Sequence, residues 1–140
     1  VVLAVRNRSA LPTSWLEEMV AFADPGLTRD WRIEFLPAEL PHGLADPHRR
    51  LALVYVAGDP PHWCVYLQRK AIKLRSGAEA CVFVTGHELR HLWQHEQGMR
   101  LRVEPLERDA DAFAAWRLRA YRRTGRTIAR AAYIHEANAL

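Results

Sequence analysis

From Glu79 to Gln97 the chain carries an uninterrupted helical pattern that Gly98 stops, and a second helical pattern begins near Pro105 and runs to about Thr124-Gly125. Nothing else in the sequence constrains the fold as strongly, because two long helices must each bury an apolar stripe while only the brief connection QGMRLRVEPL joins them. Their ends are legible too. Glycine suits a helix C-terminal stop, and proline suits a first helical turn because it lacks only an amide that has no partner there. Glu104, Glu107 and Asp109 cluster at the dipole-positive start of the second helix.

The chain ahead of these helices reads mainly as strands. VVLAVRN is a weakly alternating strand, and LPTSWLEEMVAFADPGL is a helix that Pro25-Gly26 ends. In it, Thr13 or Ser14 serves as cap, Glu17 fits a capping box after Ser14, and Trp15, Met19 and Phe22 share one face. WRIEFLP sets Trp31, Ile33 and Phe35 against Arg32 and Glu34 with period two, the pattern of a half-buried strand. Leu36 to Arg50 holds three prolines and a glycine without sustained periodicity, so a flexible or substrate-facing loop is expected. LALVYVAG is a buried strand, and Gly58-Asp59-Pro60-Pro61 turns toward HWCVYLQR, which predicts a hairpin. Thr127 can cap a last short helix, IARAAYIHEANAL. The order is that of an α+β fold.

At 140 residues the chain makes one domain, 1–140, large enough to bury roughly two thirds of its unfolded surface. No apolar run is long enough to cross a bilayer, so no membrane partner is expected. VVLAVRNRS lacks the pattern of a secretory leader, which gives a cytoplasmic location as the expectation. Cys64 and Cys81 sit in apolar stretches without CxxC spacing and read as core thiols.

Within the first long helix lies His87-Glu88-Leu89-Arg90-His91. Four residues advance a helix by about 400°, so both imidazoles project from one face and can bind the same zinc ion. Glu88 lies beside them, placed to take a proton from a zinc-bound water and pass it to a leaving amine. The composition yields such an HExxH by chance in roughly 2% of chains, so a third ligand has to decide. Sixteen residues on comes Glu107, with Asp111 at i+4 on the same helix face. If Glu107 binds the metal, Asp111 can accept the spare N–H of a ligating histidine. His95 and Glu96 continue the polar run, but eight residues rotate a helix about 80° off the His87 direction, so His95 is expected at the rim.

HELRH (87–91) with ERDAD (107–111) resembles the HExxH plus ExxxD arrangement of gluzincin metallopeptidases, in particular the minimal, ImmA/IrrE-like ones. The resemblance covers residues 79 to 124. It implies a zincin-like fold, a small twisted sheet packed on the HExxH helix with a ligand-bearing helix following. It further implies His87, His91 and Glu107 as zinc ligands, Glu88 as general base and acid, Asp111 as the partner that orients a ligating histidine, and endopeptidase chemistry on a peptide or protein substrate. An edge strand would pair with the extended substrate, and HWCVYLQR is the candidate. Tyr121, Tyr133 and His135 are the candidates for stabilising the oxyanion. The alternative function is a non-catalytic zinc-binding regulatory module. Its acidic partner or nucleic acid would meet arginines 117, 119, 122, 123, 126 and 130, although such a charge run more often marks a solvated helix face.

Overall fold

A computed structural model describes residues 3–56, 72 and 74–124. Three strands run parallel: β1 (Leu3–Asn7), β2 (Trp31–Pro37) and β4 (Leu51–Val56). A fourth, β3 (His42–Asp46), pairs antiparallel with β4, giving a mixed sheet of order β1-β2-β4-β3. The helices are α1 (Thr13–Ala23), α2 (Gly77–Glu96) and α3 (Val103–Thr124), so the fold is α+β. No helix among the described residues is long and apolar enough to cross a membrane.

Helix α2 lies between the sheet, which it meets at β3 and β4, and α3 on its other side. That position explains why its first half is apolar all round: Ala80, Cys81, Val82, Phe83 and Val84 are all buried. Each such large side chain contributes about 1.5–3 kcal/mol relative to exposure. Gly86 sits where α3 comes closest, since a Cβ there would lie 3.4 Å from the Cα of Ala114. Its small size therefore serves a helix contact, not the approach of a strand. Burial pushes the Cys81 thiol up to about 12, against a hydrogen bond from Thr85, which agrees with a core thiol. Cys64 lies outside the described residues.

The ends of α2 are fixed by local chemistry. The Ser76 hydroxyl accepts from the Glu79 amide at 3.2 Å, and the Glu79 carboxylate accepts from the Arg75 amide. The S-x-x-E pattern thus starts the helix two residues before Glu79. At the other end Gly98 takes φ 67, while its amide donates to His95 O and the Met99 amide to Gln94 O, the paired bonds of a Schellman stop.

Three expectations are corrected. The capping box of α1 does not form: Pro12 is the N-cap, no side-chain cap bond is made, and the Thr13 hydroxyl accepts from Asn7 instead. The expected loop from Leu36 to Arg50 holds the end of β2, all of β3 and a one-turn 3-10 helix at Pro47–Arg49. β3 lacks a hydrophobic period because pairing with β4, not an alternating face, holds it in the sheet. For the same reason the expected hairpin changes partners. Both edges of β4 are occupied, by β2 and by β3, so β4 forms its hairpin with the strand before it. HWCVYLQR itself, like the short helix after Thr127, lies outside the described residues.

Candidate metal centre

α2 and α3 bring three ligand-bearing side chains to one point. His87 Nε2 stands 2.9 Å from Glu107 Oε2, His91 Nε2 stands 3.1 Å from Glu107 Oε1, and the two Nε2 atoms are 3.1 Å apart. The ligand atoms of His87, His91 and Glu107 all fall within 4.8 Å of one another. Tetrahedral coordination at 2.0–2.1 Å requires ligand separations of about 3.3 Å, so the set fits a divalent cation after shifts of a few tenths of an ångström.

The outer nitrogens show how each ring is held. His87 Nδ1 lies 2.7 Å from Asp111 Oδ1, and since a carboxylate can only accept, Nδ1 carries the hydrogen in the neutral ring. His91 Nδ1 lies 2.8 Å from Gln94 Oε1. The amide of Gln94 is oriented by its other end, where Nε2 donates to Leu106 O at 2.8 Å and to Asp109 Oδ2 at 2.9 Å. Its oxygen therefore faces His91, whose Nδ1 must be the donor. In their neutral form both imidazoles therefore aim Nε2 lone pairs at Glu107 and at each other, an arrangement that repels itself unless a cation or proton stands between.

Asp109 is anchored in turn. Arg90 donates to both its oxygens, at 2.8 and 3.2 Å, and stacks on Trp93 with its guanidinium 3.7 Å from the ring centroid. The Arg90 hydrogen bond, with those of Gln94 and the Arg90 charge, holds the Asp109 carboxyl below the usual carboxylate range against the opposing effect of burial. Gln94 was not among the residues singled out by sequence, and Asp109 was read only as an acid at the start of the second helix. Their signal was there: Gln94 is at i+3 from His91, and Asp109 lies between Glu107 and Asp111.

Glu88 is 5% exposed, and its Oε1 lies 3.6 Å from His87 Nε2. It is pressed by the backbone of β3: a Cβ on Gly43 would come 2.5 Å from Glu88 Cγ and 3.0 Å from the carbonyl oxygen of Leu53. Only glycine fits there without displacing the carboxylate. A cleft of roughly 390 Å³ opens at this place, lined by Gly43 to Ala45 of β3, by Glu88, His91 and His95 of α2, and by Met99, Val103 and Glu107 beyond.

The remaining residues sort themselves by position. His95 is at the rim of the cleft, as expected, with its ring edge-on to Trp31 and to His48. Glu96 accepts from the amides of Thr28 and Arg29, the Thr28 hydroxyl and the Trp31 indole. Burial acts to raise its pKa, but these four donors outweigh burial and leave the carboxyl below its ordinary value. Tyr121 is not at the cluster. It lies fourteen residues past Glu107, about 21 Å along the helix axis at 1.5 Å per residue, buried with its ring edge-on to Phe22. Tyr133 and His135 lie outside the described residues. Of the six arginines, Arg117 donates to Phe22 O and Arg122 pairs with buried Glu79 at 2.7 Å. Arg119 and Arg123 are exposed, and Arg126 and Arg130 are outside the described residues.

Compared with protein-family models, with curated proteins and with solved structures, the chain matches none.

Proposed function

We propose that the protein is a zinc-dependent peptidase of minimal gluzincin type that hydrolyses peptide bonds in a polypeptide substrate. The observation that carries this reading is the convergence of two imidazole lone pairs and a carboxylate on one point, with the outer ring nitrogens already committed to Asp111 and Gln94. His87, His91 and Glu107 would hold the zinc, a donor set with three protein ligands and thus room for a fourth. When bound, zinc lowers the pKa of water and polarises a carbonyl.

The chain's own residues supply the rest. Glu88 is not one of the three converging ligands; its carboxylate stands beside them, set to take a proton from the attacking water and deliver it to the leaving amine. Gly43 lets the β3 backbone close on Glu88 and confines it. β3 is an edge strand beside the cleft, with β4 as its partner and no strand on its other edge among the described residues. An extended peptide laid along it gains main-chain hydrogen bonds without demanding a sequence. HWCVYLQR, the segment expected from sequence for this role, lies outside the described residues. A small mixed sheet on α2, with α3 behind, supports the zincin-like reading of the fold. The engagement of Arg117 and Arg122 inside the protein leaves less basic surface for a nucleic-acid module.

The test is a pair of measurements on Glu88→Gln. The variant should keep its zinc and lose hydrolysis of an unstructured protein such as casein; undiminished hydrolysis would remove Glu88 from its role.

A further inference from the structure

The cleft is not uniform along its length. Beyond Glu88 and Glu107, toward the end of α2, its lining is mostly apolar: Ala45, Pro47, Met99, Val103 and Leu106 stand there beside His95 and Gln94, whose amide is already engaged by Leu106 and Asp109. Val103, which lines the cleft, is 76% exposed, and Leu101, two residues earlier, is 53% exposed. From Met99 to Val103 the sequence alternates, Met99-Arg100-Leu101-Arg102-Val103, and both arginines are exposed. The nearby acid, Glu104, already faces Arg108 at 3.5 Å. The connection between α2 and α3 thus offers an apolar wall with two cations beside it.

Direction along the cleft can be read from β3. Gly43 lies against Glu88, and the strand then runs toward the Pro47–Arg49 turn, where His48 meets His95 near the end of α2. A peptide added antiparallel to β3, as β4 is on the other edge, runs the opposite way. Its amino-terminal part lies at the apolar end, and its chain leaves past Glu88.

Resting on the peptidase reading, we infer that the substrate is an extended polypeptide segment with a bulky apolar residue immediately before the cleaved bond and acidic residues further to the amino side. Met99, Val103 and Leu106 receive the apolar side chain, and Arg100 and Arg102 meet the acids. An apolar side chain desolvates this wall, whereas a serine or aspartate in its place leaves a polar group against it without a partner.

Two measurements test this, and they fail separately. The first is binding, which needs no hydrolysis: zinc-loaded Glu88→Gln protein is titrated with fluorescein-labelled random decapeptide pools in which one acid-flanked position is fixed as Leu or as Ser. The Leu pool should bind roughly tenfold more tightly. Val103→Asp should abolish that difference. The exposed Val103 opens α3, where an aspartate favours the helix dipole, so loss of fold does not confound the result. Equal binding of the two pools, or a preference that survives Val103→Asp, overturns the inference. The second is cleavage of an unstructured protein by the wild type with sequencing of the product ends. Leu, Met, Phe or Val should precede the cut, and an apolar preference found only after the cut overturns the inference. Retained Leu discrimination without any cleavage supports the apolar subsite and instead contradicts the peptidase reading.

Discussion

Glu96 and Glu107 carry the same charge, and each is surrounded by polar atoms within about hydrogen-bond distance, yet their neighbours are of opposite kinds. Around Glu96 every partner is a donor: two backbone amides, a hydroxyl and an indole, which together tie the end of α2 to the chain between Thr28 and Trp31. Around Glu107 the partners are two imidazole nitrogens whose hydrogens sit on the far side of the rings, facing Asp111 and Gln94. One carboxylate is satisfied by donors within the protein. The other faces two ring nitrogens that can share a cation with it, and on that difference rests the proposal that Glu107 is a ligand and Glu96 a structural acid.

Changes around Glu107 should therefore act on metal and catalysis, and changes around Glu96 on stability alone. The largest effect is expected for Glu88→Gln, with hydrolysis reduced about 10²–10⁴-fold in kcat and zinc content unchanged. Next comes the support of the ligands: Asp111→Ala frees the His87 ring and should weaken zinc by roughly 10- to 100-fold, measured by competition with a chromophoric chelator. Unchanged affinity would show that the ring is held by other means. Gly43→Ala should lower kcat roughly tenfold by displacing the Glu88 carboxylate, less than the roughly 10²-fold that a full ångström of misplacement can cost. Its zinc affinity should stay within experimental error.

The helix pair, its stop at Gly98, the HExxH spacing and the Glu107–Asp111 spacing were legible because each depends on short spacings along one helix, while the brief connection made it reasonable to expect the two helices to meet. β3 was not, since five residues held in the sheet by one partner strand carry no period of their own. Gly43 was invisible for the same reason: its need to be small comes from a glutamate forty-five positions later. Gln94 was readable in principle, being one turn beyond His91, but an amide has no charge to draw notice, and its role depends on Leu106 and Asp109 across the helix interface. Tyr121 failed as a candidate because aromatic chemistry on a helix says nothing of how far along its axis the site lies.

The smallest effect concerns the other carboxylate. Glu96→Ala should cost about 1–2 kcal/mol in urea unfolding, after allowance for its partial exposure, and leave zinc binding alone. Its sign with pH follows from its depressed pKa. The stabilisation is present above the unfolded value of about 4.3 and is lost as pH falls through the lower folded value. The wild type and Glu96→Ala should therefore differ most in urea midpoint at pH 7, and the difference should shrink as pH falls below the unfolded value. A difference that does not shrink in acid would mean that packing, not charge, accounts for the role of Glu96.

The central claim is that His87, His91 and Glu107 together hold one zinc ion. Calorimetric titration of zinc into metal-free protein, wild type beside Glu107→Ala and His91→Ala, tests it directly. One zinc per chain in the wild type, with a large loss of affinity in both variants, is the predicted result. Zinc binding that neither substitution weakens, or no binding by the wild type, would contradict it.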